Sequence, residues 1–290
     1  VATQPQRPPQ VSDDPEVQQD YLAQLALSGA LVAGLAQLWP SFDPRRPRLT
    51  FPDVRRGTAA LVAELSSAAA SLAADHFEAM RDQAQVVQPF RVPIIDLPAQ
   101  PAIENELDRV AAEILDGMSD DIEALQRAIE AQIEGSAQKM IADAASDELL
   151  AAVESDPQAI GWARVTRPGA CAFCLMLATR GPVYRKEGTA NFRAHAPING
   201  RGGTCHCTAE PLWRGKYEPP AHVREAQALW KTSTKGRSGK DAIRAFRRAL
   251  EGGNLRERPI PIPAAPAVSQ RDQFNALMGQ IDALMAPVSR

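Results

Sequence analysis

Apolar residues of the first stretch, Tyr21, Leu25, Leu31, Leu35 and Leu38, recur at helical spacing until Pro40. Asp13 or Asp14 ahead of Pro15 and Glu16 supplies an N-cap, a first-turn proline and a first-turn acid. The pattern therefore predicts a first helix from about residue 15 to the proline. The next piece, SFDPRRPRLTFPDVRRG, reads as a loop because of its prolines. A second long helix is expected over about 53–86, with Leu61, Leu65, Leu72 and Phe77 on one face. His76 lies beside that face, alone, and reads as a surface or core residue rather than a ligand. QPFRVPIIDLPAQP is a proline-punctuated connection with a short extended piece at 92–97. Helical patterns return at about 102–116 and 119–145, with a further short helix at 147–154.

Near Ile160 the pattern changes. GWARV reads as a short strand, and the residues up to Trp213 are rich in loops and Gly. From His222 the chain is helical again. EAQALWKTSTKGRSGKDAIRAFRRALEGG splits at a Gly/Ser/Lys turn, and Gly252–Gly253 ends the second of these helices. The predicted fold class is mainly α: a helical N-terminal part, a small Cys/His-rich α+β unit, then C-terminal basic helices. The expected divisions are a disordered arm at 1–12, an all-helical domain at 13–158, the Cys/His unit with its basic helices at 159–254, and a Pro-rich linker with a terminal helix at 255–290.

Charge sharpens this division. Residues 1–160 carry 11 Lys/Arg against 26 Asp/Glu, a net of −15, whereas residues 161–290 carry 21 against 9, a net of +12. Such a chain presents different faces to different partners. The C-terminal cations Lys231, Lys235, Arg237, Lys240, Arg244, Arg247 and Arg248 are candidates for contact with nucleic acid or an acidic neighbour. The arginines of the proline-rich loop (Arg45, Arg46, Arg48, Arg55, Arg56) read as solvated, or as a second such contact. The acids near predicted helix starts suit the helix dipole and need no catalytic role. VATQPQRPPQ has no basic segment followed by an apolar one, so no export signal is expected and the cysteines are expected to be reduced. The longest apolar stretch, Leu22 to Trp39, is interrupted by Gln24, Ser28 and Gln37 and reads as a core helix, so no membrane partner is expected.

The chemistry concentrates in one place. All four cysteines, Cys171, Cys174, Cys205 and Cys207, fall within 37 consecutive residues, together with His195 and His206. A C-x-x-C turn can offer two sulfurs to one ion, and His195 with the C-x-C at 205–207 can complete a four-coordinate set. Thiolate and imidazole donors of that number point to structural Zn²⁺. The rival readings are core cysteines under the helix CAFCLMLA, a redox pair, and a nucleophilic Cys205 or Cys207 with His195 or His206 as base. The redox pair lacks its usual βαβ surroundings, and nothing local marks an oxyanion hole.

GACAFCLMLATRGPVY, a following histidine and then CHCTAEPLW resemble the signature of the Mu F-like, or head-morphogenesis, minor capsid proteins of tailed phages. The form found in phages of actinobacteria is the most similar. Cys171, Cys174, Gly181, Tyr184, Cys205, Cys207 and Pro211 match that signature, and GRSGKDAIRAFRRALE is similar to the tail of the same form. The likeness covers about 160–250. In the family a histidine usually lies two or three residues before the C-x-C, whereas here His195 precedes Cys205 by ten. Four of Cys171, Cys174, His195, Cys205 and Cys207 are thus the expected ligands, with His206 as the alternative histidine.

The resemblance implies a protein inside the phage head at the portal vertex. Its expected partners are the portal protein, the major capsid protein and double-stranded DNA, and its expected role is procapsid assembly and DNA packaging or delivery. Some relatives are described as capsid maturation proteases, which makes a Cys/His protease the second expectation. A nucleic-acid-binding zinc module is the third.

Overall fold

The structure, a computed structural model, describes residues 11–116, 121–184, 207–213, 217–253, 255 and 256. Seven α-helices and one two-stranded ribbon occur among them. The first four helices are α1 (Pro15–Leu38), α2 (Pro47–Gln83), α3 (Gln100–Asp116) and α4 (Ile122–Ser155). The ribbon pairs β1 (Gly161–Val165) with β2 (Thr208–Leu212), and between them in sequence lies the short α5 (Ala172–Ala178). A helical hairpin, α6 (Ala221–Ser233) and α7 (Gly239–Glu251), follows. The mainly-α class expected from the pattern is the class observed.

α1 starts as the sequence predicts: the Asp14 carboxylate accepts the Glu16 N–H at 2.9 Å, with a proline in the first turn. Val11 and Ser12, assigned by composition to the arm, are buried, and the Val11 N–H donates to Gln18 Oε1 at 2.8 Å. The remainder of the arm and the whole of 257–290 lie outside the described residues.

α2 corrects the loop reading of 41–57, since it begins at Pro47 and carries Pro52 within it. Pro47 sits in the first turn, where its missing N–H costs nothing. Pro52 forgoes one helical hydrogen bond, but Phe51 and Val54 on either side are buried at 4% and 0% exposure. Burial of that face outweighs the local breaker. Four of the five arginines of this stretch are engaged within the chain: Arg46 with Asp43, Arg48 with Asp116, Arg55 with both Glu104 and Asp108, and Arg56 with Asp53. α4 corrects the break expected near 146. Ser146 donates to the Ala142 carbonyl at 2.8 Å inside one continuous helix, so its hydroxyl is satisfied within the helix.

α2 is the central helix and packs on α1, α3 and α4. By length and composition α1 and α2 would each suffice to cross a bilayer. Here their apolar faces meet each other and α4, and Leu27, Leu31, Val62, Leu65 and Ile133 are sealed from solvent.

β1 and β2 run antiparallel from Gly161 opposite Leu212 to Val165 opposite Thr208. On the other edge of β1, the Trp162 N–H donates to the Tyr184 carbonyl at 2.9 Å. Both ends of β2 are fastened to the helical part. Thr208 Oγ1 donates to Asp20 Oδ2 of α1 at 2.9 Å, and the indole N–H of Trp213, just past the strand, donates to Asp156 at 2.7 Å. The α6–α7 hairpin packs on α5, with Trp230 edge-on to Phe246 inside it. His222 of α6 donates from Nε2 to the Thr166 carbonyl at the end of β1, at 2.5 Å. One apolar core thus runs from the bundle through the ribbon to the hairpin.

Candidate functional site

The C-x-x-C falls at the start of α5. Cys171 is the N-cap, and its Sγ accepts the Cys174 N–H at 3.4 Å. Cys174 is fully buried, and a guanidinium nitrogen of Arg164 on β1 lies 3.9 Å from its sulfur. N–H donors aimed at both sulfurs suit the negative charge that a metal-ligating thiolate carries. Cys171, Cys174 and Cys207 are free of disulfides.

The other half of the expected set, His195, Cys205 and His206, lies outside the described residues. Among the described residues no three His, Cys, Asp or Glu side chains converge as a metal site would require. The residues present therefore fit one half of a zinc site: a turn with two sulfurs, hydrogen-bonded and unbridged.

Surrounding signature residues pack as one unit. Gly181 adopts φ +68°, which favours glycine, and so lets the chain turn after α5. Tyr184 then lies on Trp162, with ring centroids 4.8 Å apart, and its hydroxyl donates to the Leu177 carbonyl of α5 at 2.9 Å. Pro211 stands opposite Trp162 in the ribbon. Strand, turn and short helix are thereby locked around the two cysteines.

Cys207 lines a cavity of about 30 Å³ between α1, α2, α4 and the start of β2. By size it would hold roughly two waters. Asp20, Gln24 and Ser28 of α1, His76 of α2 and Ser146 of α4 supply its polar walls. His76, expected to stand alone, is 6% exposed and faces this space, and its Nε2 has no hydrogen-bond partner. Imidazole, carboxylate and thiol thus share one cavity, but no nucleophile–base hydrogen bond joins His76 to Cys207.

This polar seam was missed from the sequence, although a signal was present. Asp20, Gln24 and Ser28 repeat at i, i+4 and i+8 within an otherwise apolar helix, which places a polar stripe on one face.

On β2, Glu210 is pushed up to about 7, first by burial and then by the charge of Asp14. Tyr217 is pushed up by burial and by Glu210, and its buried hydroxyl has no partner. His222 is pushed down, chiefly by burial.

All seven C-terminal cations sit on the α6–α7 hairpin and its connecting turn, and all seven are exposed. Arg244 pairs with Asp241 at 3.5 Å, and Arg237 donates to the Ser233 carbonyl at 2.6 Å.

A protein-family model described as VG15 protein matches residues 12–233, from the turn that caps α1 to the last residue of α6. The chain belongs to the VG15 protein family. The VG15 family is a viral family of phage gene products, so this is a phage protein. The VG15 match takes in the bundle, the ribbon, the C-x-x-C turn and the Cys207 cavity, and it stops short of α7. No curated protein and no solved structure matches the chain.

Proposed function

We propose that this VG15 protein is a Mu F-like minor capsid protein, held inside the phage head near the portal. It would serve procapsid assembly and DNA packaging or delivery, with the portal and major capsid proteins as its partners. The observation that carries the reading is the packing of the signature residues. Cys171 and Cys174 open α5, Tyr184 lies on Trp162 and donates to α5, and Pro211, remote in sequence, stands opposite Trp162 in the ribbon.

In this reading the zinc ion is a cross-link and supplies no reaction. Cys171 and Cys174 would hold it from the α5 turn, with two ligands from His195, Cys205 and Cys207, or with His206 in place of His195. A small unit built on a two-stranded ribbon and a seven-residue helix has little core of its own. A metal staple would make up that deficit.

The test is assembly. The chain is co-expressed with the portal and major capsid proteins of its phage, and assembled heads are isolated on a density gradient. The reading requires the chain in the heads at a low, fixed copy number, protected from added protease until the heads are opened. Heads of normal portal content that lack the chain, or a chain digested on intact heads, overturn it.

A further inference from the structure

We infer that the α6–α7 hairpin is a docking surface for the phosphate backbone of double-stranded DNA, read without regard to base sequence. This deepens the proposed role in the phage head and rests on it for the source of the DNA. The surface itself is argued from this chain's own residues, since α7 lies beyond the span matched by the family model.

α7 is divided sharply between its faces. Ala242, Ala245, Phe246 and Leu250 are buried, while Lys240, Arg244, Arg247 and Arg248 are exposed. At 3.6 residues per turn those four cations fall within roughly 100° of arc and span about 12 Å along the axis. Lys231 near the end of α6, and Lys235 and Arg237 in the turn, extend the same charge to the tip of the hairpin. Gly236 of that turn and Gly239 at the start of α7 have nothing within 4 Å of where a side chain would begin, so the tip stands clear.

The free charge distinguishes this surface from the rest of the molecule. Among the described residues Lys231, Lys235, Lys240, Arg247 and Arg248 form no ion pair, and Arg244 has a single exposed one. Elsewhere the arginines of α2 and α3 are matched by carboxylates, as Arg55 is by Glu104 and Asp108 and Arg109 is by Glu106 and Glu113. The net −15 of residues 1–160 is spread over the whole bundle and interrupted by these pairs, so a second copy offers the hairpin a sparser polyanion than a duplex, with about one charge per 1.7 Å of axis. A DNA backbone offers dense unpaired charge. The four cations of the exposed α7 arc can each pair with a phosphate whatever the base sequence, and positioning on phosphates is the contact assigned to them.

The full-length protein is titrated with a short fluorescent duplex of random sequence between 50 and 200 mM NaCl. About six phosphate contacts give a slope of log affinity against log salt near −5, a loss of about a thousandfold over that range. The triple variant Arg244→Gln, Arg247→Gln, Arg248→Gln removes about three contacts and flattens the loss to about fortyfold. Light scattering in the same buffers follows self-association.

Parent binding with that slope, flattened by the triple variant, establishes the surface. No binding, a salt-independent affinity, or a triple variant that binds like the parent overturns it. So does salt-sensitive self-association abolished by the triple variant while DNA binding is unchanged, because the partner is then a second copy. Incorporation of the triple variant into heads is scored separately. Heads that contain it when duplex binding has failed leave the assembly role standing and remove only this surface.

Discussion

Arg81 near the end of α2 and Asp156 just past α4 are 75 positions apart in sequence, and their side chains meet at 2.8 Å with both largely sealed from solvent. Asp156 Oδ2 also accepts the Trp213 indole N–H from the end of β2, and Arg81 donates to the Val86 and Gln88 carbonyls and lies over the Phe90 ring. The pair is therefore where the bundle, the α2–α3 connection and the ribbon are joined.

Removing one partner leaves the other buried and uncompensated, which typically costs about 3–5 kcal/mol. Asp156→Ala is expected to lose stability on that scale in urea unfolding. Burial alone would push the Asp156 carboxyl up, but the hydrogen bonds from Trp213 and Arg81 and the Arg81 charge together hold it below its usual value of 3.8. A carboxylate lowered on folding stabilises above its unfolded pKa, and that contribution is lost as the pH falls through the lower, folded value. The acid limb of the stability curve, from about pH 4 downward, should therefore be shallower in Asp156→Ala than in the parent. Superimposable acid limbs would remove Asp156 from the account.

Glu210 titrates in the opposite sense. Its carboxyl is pushed up to about 7 by burial and by Asp14, so the folded state holds a proton that the unfolded state releases near the usual 4.5. Its effect on stability is absent below the unfolded pKa and grows more unfavourable as the pH rises toward the folded one. Glu210→Gln should match the parent at pH 4 and exceed it at pH 8, by on the order of 2 kcal/mol. A Gln variant less stable than the parent at pH 8 would mean that the charged form is favoured in place.

Gly161, the first residue of β1, has φ +151°, and a side-chain carbon there would come within 2.5 Å of the Tyr184 carbonyl oxygen. That oxygen belongs to backbone and accepts the Trp162 N–H, so it cannot swing aside. Gly161→Ala is expected to cost on the order of 3 kcal/mol through strain and the lost bridge. Hydrogen exchange should show the Trp162 amide losing protection. Unchanged protection at that amide would contradict the close approach.

Elemental analysis of the full-length protein should give about one zinc per chain, and Cys171→Ser or Cys174→Ser should abolish it. Circular dichroism should show the helices of the bundle surviving in both variants, because no described cysteine among the four lies in α1–α4. A protein that contains no metal and melts like the parent after chelation would leave the cysteines as apolar core.

Much of the fold follows from local chemistry that a sequence exposes. The Asp14–Pro15–Glu16 start of α1 and the two-faced pattern of α7 are decided within a few residues, whereas α4, expected from 119, is capped by Asp121, whose carboxylate accepts the Ala124 N–H. The start of α2 was not legible, because Pro52 speaks for a break and is overruled by burial of Phe51 and Val54 in the core. The spacing of Cys171 and Cys174 corresponds to the turn that opens α5. The Cys207 cavity was not legible, since Asp20, His76 and Ser146 come from three helices that only tertiary packing brings together. The Arg81–Asp156–Trp213 junction was hidden for the same reason: each residue looks ordinary beside its own neighbours.

His76 offers the sharpest test of that cavity. No protein group among the described residues partners this buried imidazole nitrogen, and desolvation of such a polar group costs about 1–3 kcal/mol. Large buried residues replaced by smaller ones normally destabilise. Here Leu would keep apolar bulk against Ala73 and Leu149 while it removes the unpaired nitrogen, so His76→Leu is expected to raise the melting temperature by a few degrees. Ser146→Ala, whose hydroxyl bonds inside its own helix, should change little and serves as the control. A lower melting temperature in His76→Leu would show that the imidazole is partnered through water or a bound molecule in the cavity.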